Sequence, residues 1–293
     1  MTDSVTPDHL IVHFSDTHFT GGDKPLHGVA DTRANLTAAL QAVEAAGITP
    51  DALVFTGDLA DTADADAYDR LRRTVEPAAE RIGAPVVWVM GNHDERGAFR
   101  AGLLDADPTD EPYDTVHRFG GLRLIALDST VPGEHYGEIV QEQLDWLADE
   151  LATPAEGGTI LALHHPPLAP TSDLLRLVDL RERERLAEVV AGSDVRMILG
   201  GHYHYASSGL FAGVPVAVAA ATCYSTDILS PASSAHRGMD AGQSFNLVHC
   251  FGGDTVASTT PWGDAQTLYE VTTEQMATWL AAGDRGADAV AGS

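Results

Sequence analysis

The chain has 293 residues, of which 44% are apolar, and no apolar run is long enough to span a bilayer, so a soluble globular protein with a sizeable core is expected. A formal net charge of -26 excludes a nucleic-acid surface, which would need clustered lysine and arginine to neutralise phosphates. The polar, acidic start from Met1 to Asp8 is unlike a signal peptide and predicts a cytoplasmic protein, while Cys223 and Cys250, both in apolar settings, read as reduced core residues.

In chain order, five short apolar or β-branched runs read as strands covered on both faces: Leu10 to Phe14, Ala52 to Phe55, Val86 to Met90, Thr159 to Leu163 and Val195 to Leu199. Helical spacing marks 35–46 (Leu36, Ala39, Leu40, Val43), 66–82 (Tyr68, Leu71, Val75), 144–151 and 180–190. Strand and helix in alternation imply parallel crossovers, and in such sheets reactive groups gather beyond the carboxyl ends of the strands. His13, inside the first run, is expected to be a hydrogen-bonded core histidine, and Arg181 to Arg185 the solvated face of a helix.

A motif follows each strand: Asp16-Thr17-His18, Gly57-Asp58, Gly91-Asn92-His93-Asp94, His164-His165 and Gly201-His202-Tyr203-His204. Any one of them alone is more often a turn or a cap. Five in order, each at a strand end, supply carboxylate, amide and imidazole donors suited to hard or borderline cations, with no thiolate among them. His165 is expected to support its loop beside Pro166 and Pro167.

This order of motifs resembles the calcineurin-like metallophosphoesterase superfamily from about Leu10 to the strand near Phe245. Gly57 to Thr62 with Ala67-Tyr68, Leu127-Asp128-Ser129, Gly137, Gln143 to Leu147 and His164 to Pro167 resemble its bacterial class III cyclic nucleotide phosphodiesterases of the mycobacterial type. The resemblance implies a four-layer α/β/β/α sandwich with two mixed sheets. It implies one ion on Asp16, His18, Asp58 and His204 and a second on Asp58, Asn92, His164 and His202, with Asp58 bridging; the ions would be Fe plus Mn or Zn, or two Mn. A hydroxide held between two such ions would attack a small phosphodiester, a cyclic nucleotide with 3',5'-cyclic AMP or 2',3'-cyclic esters as substrates. His93 would act on the phosphate with Asp94 orienting it, and Asn92 and His135 would also contact substrate, a solvated loop histidine being the alternative at 135. A glycerophosphodiesterase, a broad-specificity phosphatase or a non-catalytic scaffold are the competing functions.

The catalytic domain is expected to span 1–254. Residues 255–293 form an extension whose Leu268, Val271, Met276, Trp279 and Leu280 predict a docked short helix over 267–282, ahead of a Gly/Ala/Asp-rich disordered tail. Related phosphodiesterases form homodimers, and such an interface would bury this helix.

Overall fold

Alternation along the strands builds the layers. The structure, a computed structural model, describes residues 6–231, 233–263 and 266–282. Its strands are β1 (His9–Phe14), β2 (Ala52–Thr56), β3 (Val86–Val89), β4 (Thr115–Phe119), β5 (Leu122–Ala126), β6 (Thr159–Ala162) and β7 (Val195–Gly200). There follow β8 (Ser207–Phe211), β9 (Val214–Val218), β10 (Ser225–Thr226), β11 (Gly238–Met239), β12 (Ser244–Cys250) and β13 (Thr255–Pro261). The helices are α1 (Thr32–Ala45), α2 (Ala65–Ile82), α3 (Arg96–Leu103), α4 (Gln141–Leu151), α5 (Arg183–Val190) and α6 (Thr273–Ala282).

One sheet runs β13-β12-β1-β2-β3 and the other β4-β5-β6-β7-β9-β8, both mixed. β1–β2–β3 and β5–β6–β7–β9 pair in parallel; antiparallel β12 and β13 extend the first sheet on one side, with β3 its other edge, and antiparallel β4 and β8 close both edges of the second. Val12 and Phe14 of β1, with Leu53 and Phe55 of β2, pack against Leu36 and Leu40 of α1 and Leu71 and Val75 of α2. Residues of the opposite parity, Ile11, Ala52, Val54, Val87 and Val89, meet Leu124, Ala126, Ile160, Ala162 and Leu199 of the second sheet. That sheet turns Ile125, Leu161 and Ile198 outward onto Leu144 and Leu147 of α4 and Leu186 and Val190 of α5. The result is helix, sheet, sheet, helix, as expected. Both faces of each central strand are covered, which is why these runs read as continuously apolar.

His13 shares the inter-sheet parity of Ile11 and is fully buried. Its Nε2 lies 2.8 Å from Thr56 Oγ1 and its Nδ1 3.3 Å from Asn246 Nδ2, so the ring is a satisfied core group. Burial depresses its pKa to about 3, keeping it neutral. The expected helix at 180–190 starts only at Arg183, because Leu180 is drawn into a bridge with Gly137. Arg181 lies over the ring of Tyr136, 3.1 Å from its centroid, and Arg185 pairs with Glu182 at 2.8 Å.

The expected boundary at 254 falls between two paired strands. β13 hydrogen-bonds along the whole of β12, and the compact unit runs from Pro7 to Trp262. β13 alternates inward and outward residues at a sheet edge, so its sequence carries no buried run to mark it. In the terminal unit α6 begins at Thr273, and Leu268, Val271 and Met276 are exposed. The predicted tail beyond 282 and the acidic start up to Val5 lie outside the described residues. No helix among the described residues is long and apolar enough to cross a membrane.

Candidate metal centre

The loops after β1, β2, β3, β6 and β7 are laced into one surface by their own backbones. Asp16 N–H donates to Gly57 O at 3.0 Å and His18 N–H to Asp58 O at 2.9 Å. Gly201 N–H donates to His164 O at 2.9 Å, and His202 N–H reaches the Asp16 carboxylate at 3.0 Å. Such tight turns force the side chains inward. Asp16, His18, Asp58, His202 and His204 all take positive φ, between 43° and 71°, a region non-glycine residues rarely occupy. Gly57, at φ 91°, has no substitute: a Cβ there would lie 2.6 Å from His164 Nδ1 and 2.7 Å from Gly91 Cα.

Two groups of donor atoms converge. His18 Nε2 lies 3.2 Å from His204 Nε2 and 3.4 Å from Asp58 Oδ2, while His204 Nε2 lies 3.4 Å from Asp16 Oδ1. In the second group His164 Nε2 lies 3.1 Å from Asn92 Oδ1, 3.3 Å from Asp58 Oδ2 and 3.2 Å from His202 Nδ1. Atoms about 2.1 Å from one ion, at angles between octahedral and tetrahedral, stand about 3.0–3.4 Å apart, so the spacing fits a shared cation in each group.

The outer nitrogens make the same case. His18 Nδ1 is 3.1 Å from Asp61 Oδ1, His164 Nδ1 is 2.7 Å from Thr56 O, and His202 Nε2 is 2.8 Å from Val178 O. These oxygens take the ring protons, so the inner nitrogens turn bare lone pairs toward one another. Lone pairs opposed at 3.2 Å repel unless a proton or a cation lies between them. Protonation is the fallback: burial disfavours a charged His18, yet hydrogen bonds to Asp58 and Asp61 hold its pKa up to about 10. His164 is likewise buried but raised to about 9 by Asp58. Burial opposes ionisation of Asp58 too, and His164 and His18 keep it well below the usual carboxylate range. The cluster calls for positive charge, which a bound cation would supply in place of those protons.

His93 stands at the rim. Its Nδ1 is 2.7 Å from Asp61 O, which leaves Nε2 free, and the ring lines both a cleft of about 460 Å³ and a lobe of about 160 Å³ over the donors. Asp94 is not its orienting partner. The Asp94 carboxylate turns away and accepts from Gly91 N (2.9 Å), Leu59 N (3.1 Å), Ala60 N (3.1 Å) and Tyr68 OH (2.8 Å). It ties the loop after β3 to the loop carrying Asp58, because the turn at 91–94 sends consecutive side chains in different directions. His135 lines the larger cleft with Nδ1 3.2 Å from Asn92 Nδ2, which keeps Asn92 Oδ1 aimed at His164. His165 is buried, its Nδ1 2.8 Å from Ser129 Oγ and its Nε2 3.2 Å from His135 O, so it supports the loop as expected.

Sequence reasoning missed several wall residues. Asp61 serves both His18 and His93, and Tyr224, His27 and His236 line the smaller lobe. Asp61 stood within the Gly57 to Thr62 motif; the others lie on loops with no spacing signal. Arg96 is the only arginine or lysine among the described residues lining either lobe. Its guanidinium is committed to Asp128 Oδ2 (2.9 Å), Asp110 O (2.7 Å) and Thr130 O (3.0 Å).

A sandwich with paired nitrogen and oxygen donor groups at its strand ends defines a metallophosphoesterase, a phosphoester hydrolase. Residues 9–206 match the calcineurin-like phosphoesterase family, and the chain belongs to it. It is 50% identical over 262 residues to the cAMP/cGMP dual specificity phosphodiesterase of Mycobacterium tuberculosis, covering 89% of this chain and 82% of that one. A probable cyclic nucleotide phosphodiesterase of Rhodococcus erythropolis is 51% identical over 264 residues, 90% of this chain and 87% of the relative. The fold is shared with a dimetal phosphatase from Danio rerio at a TM-score of 0.62 and 16% identity, over 87% and 96% of the two chains.

Proposed function

We propose that the chain hydrolyses cyclic nucleotides, 3',5'-cyclic AMP foremost and 2',3'-cyclic nucleotides besides, at a centre of two metal ions. The observation that carries this reading is the position of Asp58 Oδ2, 3.4 Å from His18 Nε2 and 3.3 Å from His164 Nε2, one carboxylate oxygen shared by two donor groups. Asp16, His18, Asp58 and His204 would hold the first ion, and Asp58, Asn92, His164 and His202 the second. Nitrogen and oxygen donors of this kind suit iron with manganese or zinc, or two manganese ions. Bound there, the ions supply Lewis acidity that activates water near neutral pH and offsets charge on the phosphoryl oxygens.

The remaining work falls to the chain. His93 Nδ1 lies 2.7 Å from the Asp61 carbonyl, so Nε2 is the ring nitrogen left to carry a proton toward the substrate. That proton is placed for the leaving alkoxide. With Arg96 tied to protein oxygens, the lobes offer little positive charge for a dianionic monoester, whereas a diester carries one charge. The cleft of about 460 Å³ falls within the range of about 300–1,000 Å³ usual for small-molecule sites. Both bacterial relatives carry cyclic nucleotide phosphodiesterase names.

The test is hydrolysis by metal-reconstituted enzyme of a panel of 3',5'- and 2',3'-cyclic nucleotides, glycerophosphodiesters and phosphomonoesters. Highest kcat/KM on a cyclic nucleotide is the expected result. Preference for a glycerophosphodiester or a monoester overturns the substrate assignment.

A further inference from the structure

The four imidazoles of the donor groups are not equally braced. Three give their outer N–H to oxygen: His18 to a carboxylate, His164 and His202 to backbone carbonyls, at 2.7–3.1 Å. His204 differs. Its Nε2 faces His18 Nε2 and Asp16 Oδ1, so its proton belongs on Nδ1, and Nδ1 points at Cys223 Sγ 3.7 Å away. Cys223 is fully buried and His204 is 6% exposed, so water does not substitute for the sulfur. Among the described residues Cys223 is the sole hydrogen-bond partner of that nitrogen.

The thiol is fixed in place from two sides. Cys223 N–H donates to Asp16 O at 3.3 Å, and its carbonyl accepts from Asn35 Nδ2 of α1 at 3.0 Å. Leu26, Ala30 and Ala221 pack around it. The Tyr224 ring lies against His204, with centroids 4.5 Å apart, and holds the imidazole in the plane that aims Nδ1 at the sulfur.

We propose that Cys223 is a positioning residue for His204: its sulfur accepts the Nδ1 proton, fixes the tautomer that turns Nε2 to the first ion, and makes that ion the more exchangeable of the two. The inference rests on the ligand assignment above. Sulfur is a weak acceptor, so it raises the basicity of its imidazole less than a carboxylate or carbonyl does. His204 is thereby the weakest nitrogen donor of the centre, and the first site is the one that gives up its ion first. No thiolate ligation is involved.

Calorimetric titration of Mn²⁺ into metal-free protein tests this, comparing the unaltered chain with Cys223→Ala and Cys223→Ser. Cys223→Ala is expected to weaken one of two binding steps about tenfold and leave the other unchanged, the lower end of what losing such a partner does. Cys223→Ser keeps an acceptor and restores that step. On the unaltered chain, ¹⁵N-histidine labelling with Zn²⁺ loaded should show a His204 Nδ1 proton protected from exchange, but less so than those of His18, His164 and His202. Both steps unchanged in Cys223→Ala, both weakened together, serine losing as much as alanine, or His204 Nδ1–H as protected as the other three would each overturn the proposal. An unaltered chain that binds fewer than two ions defeats the binuclear reading itself, a separate outcome.

Discussion

Asp94→Ala should unfold the junction of two loops. The carboxylate is 7% exposed and accepts four hydrogen bonds, from Gly91 N, Leu59 N, Ala60 N and Tyr68 OH, all between 2.8 and 3.1 Å. Removing it leaves four buried donors, each costing about 1–3 kcal/mol when unsatisfied. Taking the low end, because a water can enter the space of a lost carboxylate, the substitution costs about 4 kcal/mol, a large fraction of the roughly 5–15 kcal/mol that stabilises a domain. Asp94→Asn keeps one accepting oxygen and turns an NH₂ toward the donors of the other, so about 2 kcal/mol is expected. At about 2–4 °C per kcal/mol for a chain of this size, Tm should fall by about 8–16 °C for alanine and half that for asparagine. Urea unfolding of the metal-loaded proteins gives the energies directly. A variant with wild-type stability and a loss confined to kcat would refute this and return Asp94 to the chemistry.

Three further outcomes follow from the geometry. Asp58→Ala should lower the content of both ions, since its Oδ2 borders both donor groups, while Asn92→Ala lowers one; elemental analysis of the purified variants decides, and equal losses would contradict the shared carboxylate. His93→Ala should keep both ions yet lose about 10²–10⁴-fold in turnover of a cyclic nucleotide, with a much smaller loss on a nitrophenyl ester that needs no leaving-group proton; equal losses on both would leave only electrostatic stabilisation. His13 is neutral in the fold, its pKa of about 3 lying below the ordinary 6.5. The unfolded chain therefore binds the extra proton between these values, and the stability His13 contributes is complete above pH 6.5 and is lost as pH falls toward 3. His13→Gln should flatten the fall of unfolding free energy between pH 6 and 4 by up to about 1.4 kcal/mol per unit, and an unchanged slope would count against a buried neutral ring.

How much of this was legible in the sequence depends on burial and on chain direction. The five strands that carry the motifs announce themselves because both faces are dry, and the motif after each had to sit at a carboxyl end. Edge strands such as β8 and β13 alternate exposed and half-buried residues, and they left no comparable trace. Helix α3, eight residues with only Phe99 and Leu103 buried, was too short for its period to register. At the site, residue types were readable but side-chain directions were not. Asp94 follows His93 in the chain yet serves Tyr68 and the Asp58 loop, and Asp61, three residues beyond Asp58, serves His18 and His93. Tyr224, His27 and His236 reach the centre from loops whose paths only the fold fixes.

The backbone of the site carries the final argument. Five of the seven proposed ligands sit at positive φ. Sparsely populated conformations of this kind cost about 1–3 kcal/mol each, so together they rival the net stability of a domain. Nothing in the core requires them: the layers are complete at the strand ends, and the strain at Asp16, Asp58 and His202 lies two residues later. The interlocked bonds from Asp16 N to Gly57 O and from His202 N to the Asp16 carboxylate hold the turns against relaxation. What the strain secures is convergence: a relaxed extended backbone would leave Asp16 and His18, or His202 and His204, on one face but about 6.5 Å apart along the strand, whereas the turned backbone brings ligand atoms of Asp16, His18, Asp58 and His204 within 4.8 Å of one another. Each x-separated pair is thereby folded onto one centre, with Thr17 turned instead to Leu59 O at 2.8 Å and the Tyr203 hydroxyl to Leu168 O at 2.6 Å. A single intervening residue between two donors at a strand end is the sequence trace of that strained turn.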